Sequence, residues 1–213
     1  MQLDALLQSM QKYYTLDDCW VLYVDDYGLY DSLKYEYQDV WCWHVQTNFK
    51  KDTEWIISES KQITFLCDDD IFYRNVIAPP SLKPFHTWST RLGKNVSPPM
   101  HHCYNVSLDG NIFNTKDILP LMQGIQYKNP NKLEAYLTPF HEKFTMSWNR
   151  QCLVGIPHNK VSTTSNCWDT GKYSVKELNE RFRNGERIDI EAMDYENITD
   201  VHSDINLVFK TQV

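Results

Sequence analysis

Three consecutive aspartates, Asp68, Asp69 and Asp70, follow the apolar run from Ile63 to Cys67 and give way at once to Ile71 and Phe72. Adjacent carboxylates repel one another, and each is costly to bury unless something cationic shares the site. If the chain stays extended through the run, Asp68 and Asp70 point to one side and Asp69 to the other. Two carboxylates on one side suit a hard divalent cation such as Mg²⁺ or Mn²⁺. Such an ion commonly takes one or two protein carboxylates and completes its shell with water and ligand phosphates. A nucleotide diphosphate bridged by a metal is the natural partner, and a solvated acidic loop is the alternative.

Other residues could serve the same chemistry. In "TRLGKN", Arg91 stands beside a glycine turn, where a guanidinium can pair with phosphate or form an ordinary surface salt bridge. Asp109 and Gly110 make a turn in which glycine supplies positive φ or close approach. The tryptophans Trp20, Trp41, Trp43, Trp55, Trp88, Trp148 and Trp168 are expected mostly in the core, with one or two on loops able to stack on a sugar ring.

The elements that must position these residues alternate between helix and strand. Leu3, Leu6, Leu7 and Met10 recur at helical spacing, so the chain opens on an amphipathic helix. "CWVLYV", "VWCWHV" and "QITFLC" read as strands, with a helix over "DTEWIISESK". "FHTWSTRLG", "CLVGIP" and "INLVFK" read as further strands, and "DILPLMQGI" and "NKLEAYLTPF" as helices. "SVKELNERFRNG" carries a Ser174 cap, Glu177 in capping-box position and a Gly185 stop. The alternation predicts one α/β domain over 1–213 with a mainly parallel central sheet covered by helices.

The 213 residues, 42% of them apolar, can build one ordinary hydrophobic core. A net charge of −7 without a basic block argues against nucleic acid as a partner. The six cysteines show no CxxC pair and read as buried free thiols of a reducing compartment. No apolar run approaches a membrane span, and the N-terminus lacks a signal-peptide pattern, so a cytoplasmic location is expected.

The aspartate run after a hydrophobic strand resembles the Asp-x-Asp motif of GT-A nucleotide-sugar glycosyltransferases. "QLDALLQSM", "WSTRLGKN", "SLDGNIFNTKDI", "NPNKLEAYL" and "ELNERFRNGERIDI" are similar to segments of that group. The likeness runs from about Gln2 to Phe209 and is nearest to small glycosyltransferase domains of large algal DNA viruses, with bacterial polysaccharide enzymes next. It implies a GT-A (Rossmann-like) domain whose nucleotide-sugar half covers roughly 1–95 and acceptor half roughly 96–213. The donor would be a nucleotide-diphosphate sugar, a UDP-sugar by resemblance, held through Mn²⁺ or Mg²⁺, and the acceptor a glycan hydroxyl in the host cytoplasm if the source is viral. Asp68 would contact ribose or metal, Asp70 the metal, Asp69 would brace the loop, and His202 in "TDVHSDINLVF" would add a metal or diphosphate contact. Asp109 and Glu134 would lie on the acceptor side, and Glu134 at a helix start is the favoured general base if the reaction inverts. The family's usual first strand and base-contacting turn are missing, so either the member is naturally short or another segment holds the base. A metal-dependent phosphohydrolase or nucleotidyltransferase, and a non-catalytic carbohydrate-binding domain, are the competing readings.

Overall fold

The structure is a computed structural model that describes residues 1–24, 28–94, 96, 104–158 and 171–211. The chain opens on α1 (Gln2–Tyr13), whose buried face carries Ala5, Leu6, Leu7 and Met10, as the helical spacing predicts. β1 (Trp20–Tyr23), α2 (Asp31–Glu36), β2 (Cys42–Val45), α3 (Phe49–Ser58), β3 (Gln62–Thr64), β4 (Asp70–Phe72) and β5 (His86–Ser89) follow. Then come β6 (Asn111–Asn114), α4 (Thr115–Gln123), α5 (Pro130–Leu137), β7 (Thr145–Trp148), β8 (Leu153–Gly155), α6 (Val175–Arg183), β9 (Glu186–Ile188) and β10 (Phe209–Thr211). The Ser174 cap is present, its hydroxyl accepting from the Glu177 N–H at 3.1 Å, and Gly185 closes the helix end with φ of +81°.

The architecture is mixed α/β, with six helices among the described residues and several small sheets. The expected mainly parallel central sheet is not what the described strands form. β1 pairs with β2 in parallel, whereas the four-stranded sheet runs β3-β6-β5-β7 with only its β5–β7 pair parallel. β4–β8 and β9–β10 are antiparallel pairs. The expectation took α3 for a crossover between neighbouring strands, but β3 takes its partner from β6, far along the chain. Helix–strand alternation constrains what a strand can pair with; it does not choose the partner.

β4 explains why the aspartates give way at once to apolar residues. All three of its residues are buried. Ile71 enters a cluster with Val154, Ile156 and Ile188, while Phe72 enters another with Leu6, Leu7, Met10 and Leu153. A strand buried on both faces reads as a continuous apolar run, and Asp70 is its first residue. A third cluster, around Phe113, Ile118 and Leu133, supports β6 from beneath.

Two further expectations are corrected. None of the described tryptophans is fully buried: Trp20, Trp43 and Trp88 are partly covered and Trp41, Trp55 and Trp148 are exposed. The core is filled by aliphatic residues with phenylalanine and tyrosine instead, because the larger indole is harder to enclose completely. Of the described cysteines, Cys19, Cys42, Cys67 and Cys152 are free thiols, but only Cys152 is fully buried. Trp168, Cys103 and Cys167 lie outside the described residues. No described helix is long and apolar enough to cross a membrane.

Candidate functional site: carboxylates around a buried arginine

The aspartate run is a turn. The Asp70 N–H donates to the Cys67 carbonyl at 3.0 Å, and the Asp70 carboxylate accepts from the Cys67 N–H at 3.0 Å. This aspartate side chain thus fastens its own turn, as short polar side chains commonly do. The turn overturns the alternation predicted for an extended run. Asp68 is exposed, Asp69 half-buried and Asp70 almost fully enclosed, so Asp68 and Asp70 do not present a pair on one side.

Distant segments meet around this turn. Before it, Phe65 bridges to Asp109 and its carbonyl accepts from the Gly110 N–H at 2.9 Å. After it, Asp70 pairs with Gly155 of β8, and Gly155 bridges in turn to His202. Arg91, just beyond β5, runs between these two sides. Its Nη1 donates to Asp109 Oδ2 at 3.2 Å and its Nη2 to the Val201 carbonyl at 2.7 Å, with Asp70 Oδ1 3.8 Å from Nη2.

Two glycines make room for that side chain. A Cβ on Gly110, where φ is +70°, would stand 2.9 Å from Arg91 Cγ, and one on Gly155 would stand 2.5 Å from Arg91 Nη2. The sequence reading singled out Gly110 and missed Gly155. Its one signal was a glycine inside the strand pattern "CLVGIP", which marks close approach of another group.

The electrostatics follow from burial. Asp69 is pushed up to about 6, chiefly by burial and then by the Asp68 and Asp109 charges, with Arg91 opposing. Burial likewise raises Asp70 well above the usual carboxylate range, against the pull of Arg91. His202 is lowered to about 4 by burial and then by Arg91, so its imidazole stays neutral at physiological pH. The Cys67 thiol, which donates to Asp109 Oδ1 at 3.1 Å, is pushed well above its ordinary value by burial and the carboxylates around it. The Tyr104 hydroxyl, also missed by the sequence reading, is buried with no hydrogen-bond partner among the described residues. Its charge interaction with Arg91 sets it in the same neighbourhood.

The groups that could take part in holding a cation are the four carboxylates and the imidazole. Asp68, Asp69, Asp70 and Asp109 carry more negative charge than Arg91 offsets, and that excess helps hold Asp69 up. A neutral imidazole keeps its lone pair for a metal. Among the described residues, no three His, Cys, Asp or Glu side chains are grouped closely enough to hold an ion by themselves. An ion held here would take one or two of these carboxylates and need its other ligands from outside the chain.

Glu134 occupies a different place. It lies in the second turn of α5, which begins at an Asn129 cap and Pro130, rather than at the helix start. Its Oε1 accepts from the Ser107 hydroxyl at 2.7 Å and the Leu108 N–H at 3.1 Å. It thereby braces the segment that carries Asp109. Asp109 itself lies within the cluster, with its side chain 28% exposed. No family model, curated protein or solved structure matches the chain.

Proposed function

We propose that the chain is a metal-dependent glycosyltransferase, moving a hexose or deoxyhexose from a nucleotide-diphosphate sugar, a UDP-sugar by resemblance, to a glycan hydroxyl. The observation that carries the reading is the convergence of Asp68–Asp70, Arg91, Asp109 and His202, far apart in the chain, on one cluster with excess negative charge. A cluster of that sign and partial exposure calls for a cation shared with an anionic ligand.

Asp68, at the open edge, and His202 are the metal or diphosphate contacts, with Asp70 behind them as the ligand that Arg91 steadies. When bound, Mn²⁺ or Mg²⁺ would supply Lewis-acid neutralisation of the leaving diphosphate. Arg91 is engaged by Asp109, Asp70 and Val201, so it acts on the donor through those carboxylates rather than by reaching phosphate itself. Asp69 shapes the turn, its carbonyl accepting from the Ile156 N–H at 2.8 Å. If the anomeric carbon inverts, Asp109 takes the acceptor proton and Glu134 positions it, reversing the order favoured by helix placement alone.

The test compares sugar transfer and UDP release by the wild type, Asp109→Asn and Glu134→Gln, with and without a glycan acceptor. Loss of a general base costs about 10²- to 10⁴-fold in rate. Asp109→Asn is expected in that range with donor affinity kept, and Glu134→Gln nearer tenfold. Sugar released equally fast without acceptor would make the chain a hydrolase. No turnover of any nucleotide sugar, with metal-independent glycan binding, would make it a binding domain.

A further inference from the structure

His86 lies between two hydroxyl groups where β5 meets β7. The two strands pair in parallel, with His86 opposite Thr145 and Trp88 opposite Ser147. His86 Nδ1 is 2.7 Å from Thr145 Oγ1, and its Nε2 is 2.9 Å from Ser147 Oγ. Side chains alternate along a strand, so this face is opposite to the one that holds Ser89. The imidazole and Ser147 are half-buried, and Thr145 is exposed. A nucleophile and a base within hydrogen-bond reach, with the base held by a third group, mark an activated hydroxyl.

The backbone that delivers His86 is strained. Phe85 is the one described residue other than glycine with positive φ, at +51°, a region that a bulky side chain rarely enters. Asp117 holds it there, its Oδ2 accepting from the Phe85 N–H at 2.8 Å, and the Thr145 N–H donates to the Phe85 carbonyl at 3.0 Å. Asp117 is fastened in turn by Asn114 Nδ2 at 2.9 Å. Strain held from several sides gathers at active sites, and here it sets how His86 enters β5. β7 is an edge strand, paired with β5 alone among the described strands. Since the Thr145 N–H faces β5, the Trp148 N–H, three residues on, points to the open edge, on the side of Ser147 away from His86.

We propose that Ser147, His86 and the Trp148 N–H form a site that hydrolyses short-chain acyl esters. Thr145 is a positioning residue: its Oγ1 accepts from His86 Nδ1–H, which leaves Nε2 as the base. As Ser147 Oγ bonds to the acyl carbon, its proton passes to Nε2 and the carbonyl electron pair moves to the oxygen, which accepts from the Trp148 N–H. Collapse breaks the bond to the alcohol, and the alcohol leaves with the proton from Nε2. Water then attacks the acyl-serine by the same route, releasing the acid and restoring the Ser147 hydroxyl. The half-buried Trp88 ring, opposite Ser147, gives the acyl chain an apolar contact, and the exposed Thr145 side leaves the alcohol in solvent. The site is separate from the carboxylate cluster and stands whether or not the glycosyltransferase reading does.

Two measurements on the whole chain test it. A fluorophosphonate, which bonds to an activated serine with loss of fluoride, is reacted with the protein and the adduct located by mass spectrometry of its peptides, and turnover of p-nitrophenyl acetate is followed by absorbance. The label should sit on Ser147 and be lost in His86→Gln. Acetate turnover should fall about 10²-fold or more in Ser147→Ala and in His86→Gln. Thr145→Val should lower kcat about five- to ten-fold with KM kept, and Thr145→Ser should restore it. Labelling of the wild type decides the matter even where a variant fails to fold. No label on Ser147, a label on Thr145 in its place, full labelling of folded His86→Gln, or wild-type turnover by Ser147→Ala would overturn the proposal.

Discussion

Arg187 and Arg91 are both enclosed, at 7% and 1% exposure, and each faces carboxylates. Around Arg187 the enclosed carboxylate, Asp4, has both its oxygens hydrogen-bonded, and the second carboxylate, Glu36, is exposed. Asp4 accepts from the Tyr37 hydroxyl at 2.7 Å on one oxygen and from the Gln8 amide at 2.9 Å on the other. Arg187 stands 3.6 Å from Asp4 and 3.7 Å from Glu36, with its guanidinium over the Phe182 ring. Around Arg91 there are more carboxylates, fewer neutral donors, and a side open to solvent at Asp68 and Asp109. A charge whose neighbours are complete ties α1, α2 and β9 together. A charge left short of compensation, with access from outside, is poised for a ligand.

The largest expected effect separates the two arginines directly. Breaking a buried pair from one side costs about 3–5 kcal/mol when the other charge is left without compensation, and Arg91→Met should fall in that range by urea denaturation. Arg187→Met should cost less, about 1–3 kcal/mol, because Tyr37 and Gln8 still satisfy Asp4. Equal losses would erase the distinction.

Gly155→Ala sharpens it. The added methyl would stand 2.5 Å from Arg91 Nη2, and overpacking of this kind costs about 1–3 kcal/mol. The expected result, again from urea melts, is that loss together with weaker binding at the carboxylate cluster. Gly124→Ala is the fitting control, since its φ is −73° and its Cβ would meet only backbone oxygens at ordinary distances of 3.5 and 3.6 Å. An unaltered Gly155→Ala protein would show that the slot around Arg91 is not tight.

A smaller effect lies in the pH dependence without divalent cations. Asp69, raised to about 6, gives stability that is complete below the ordinary carboxyl range and lost as pH rises through about 6. His202, lowered to about 4, gives stability that is complete above the ordinary imidazole value and lost as pH falls through about 4. The two oppose each other across the same window. Measured against the wild type, Asp69→Asn should therefore lose stability as the medium is acidified, and His202→Gln as it is made less acid, each on the order of 1 kcal/mol. Denaturation of both variants at the two ends of that window checks the signs; matching slopes would contradict them.

Much of this site could be read in the sequence, and its geometry could not. Residue type and order pointed to Asp68–Asp70, Arg91 and Asp109, because clustered carboxylates and a guanidinium beside a glycine are chemical signals in themselves, whereas His202 was singled out only by the GT-A resemblance. Their arrangement depended on a turn closed by the Asp70 side chain and on β4 pairing with β8, about eighty residues away. Periodicity reports neither. The helices were legible where spacing and caps agreed, as in α1 and α6. β4, β6, β7 and β9 were not: all the strands are only three or four residues long, and these four lack the longer apolar run that marked β1, β2, β3 and β8. Glu134 was assigned by its helix, while the two donors that claim its oxygen come from the segment before Asp109.

The central claim, that the Arg91 cluster is a cation-dependent diphosphate site and the Arg187 cluster is structural, is most directly tested by calorimetric titration of UDP into the wild type, Asp68→Asn, Asp70→Asn and Asp4→Asn, in Mn²⁺ and in EDTA. The account predicts binding in Mn²⁺ that disappears in EDTA and in the Asp68 and Asp70 variants, and that persists in folded Asp4→Asn. Undiminished UDP affinity in EDTA, or equal loss in Asp4→Asn while it remains folded, would contradict it.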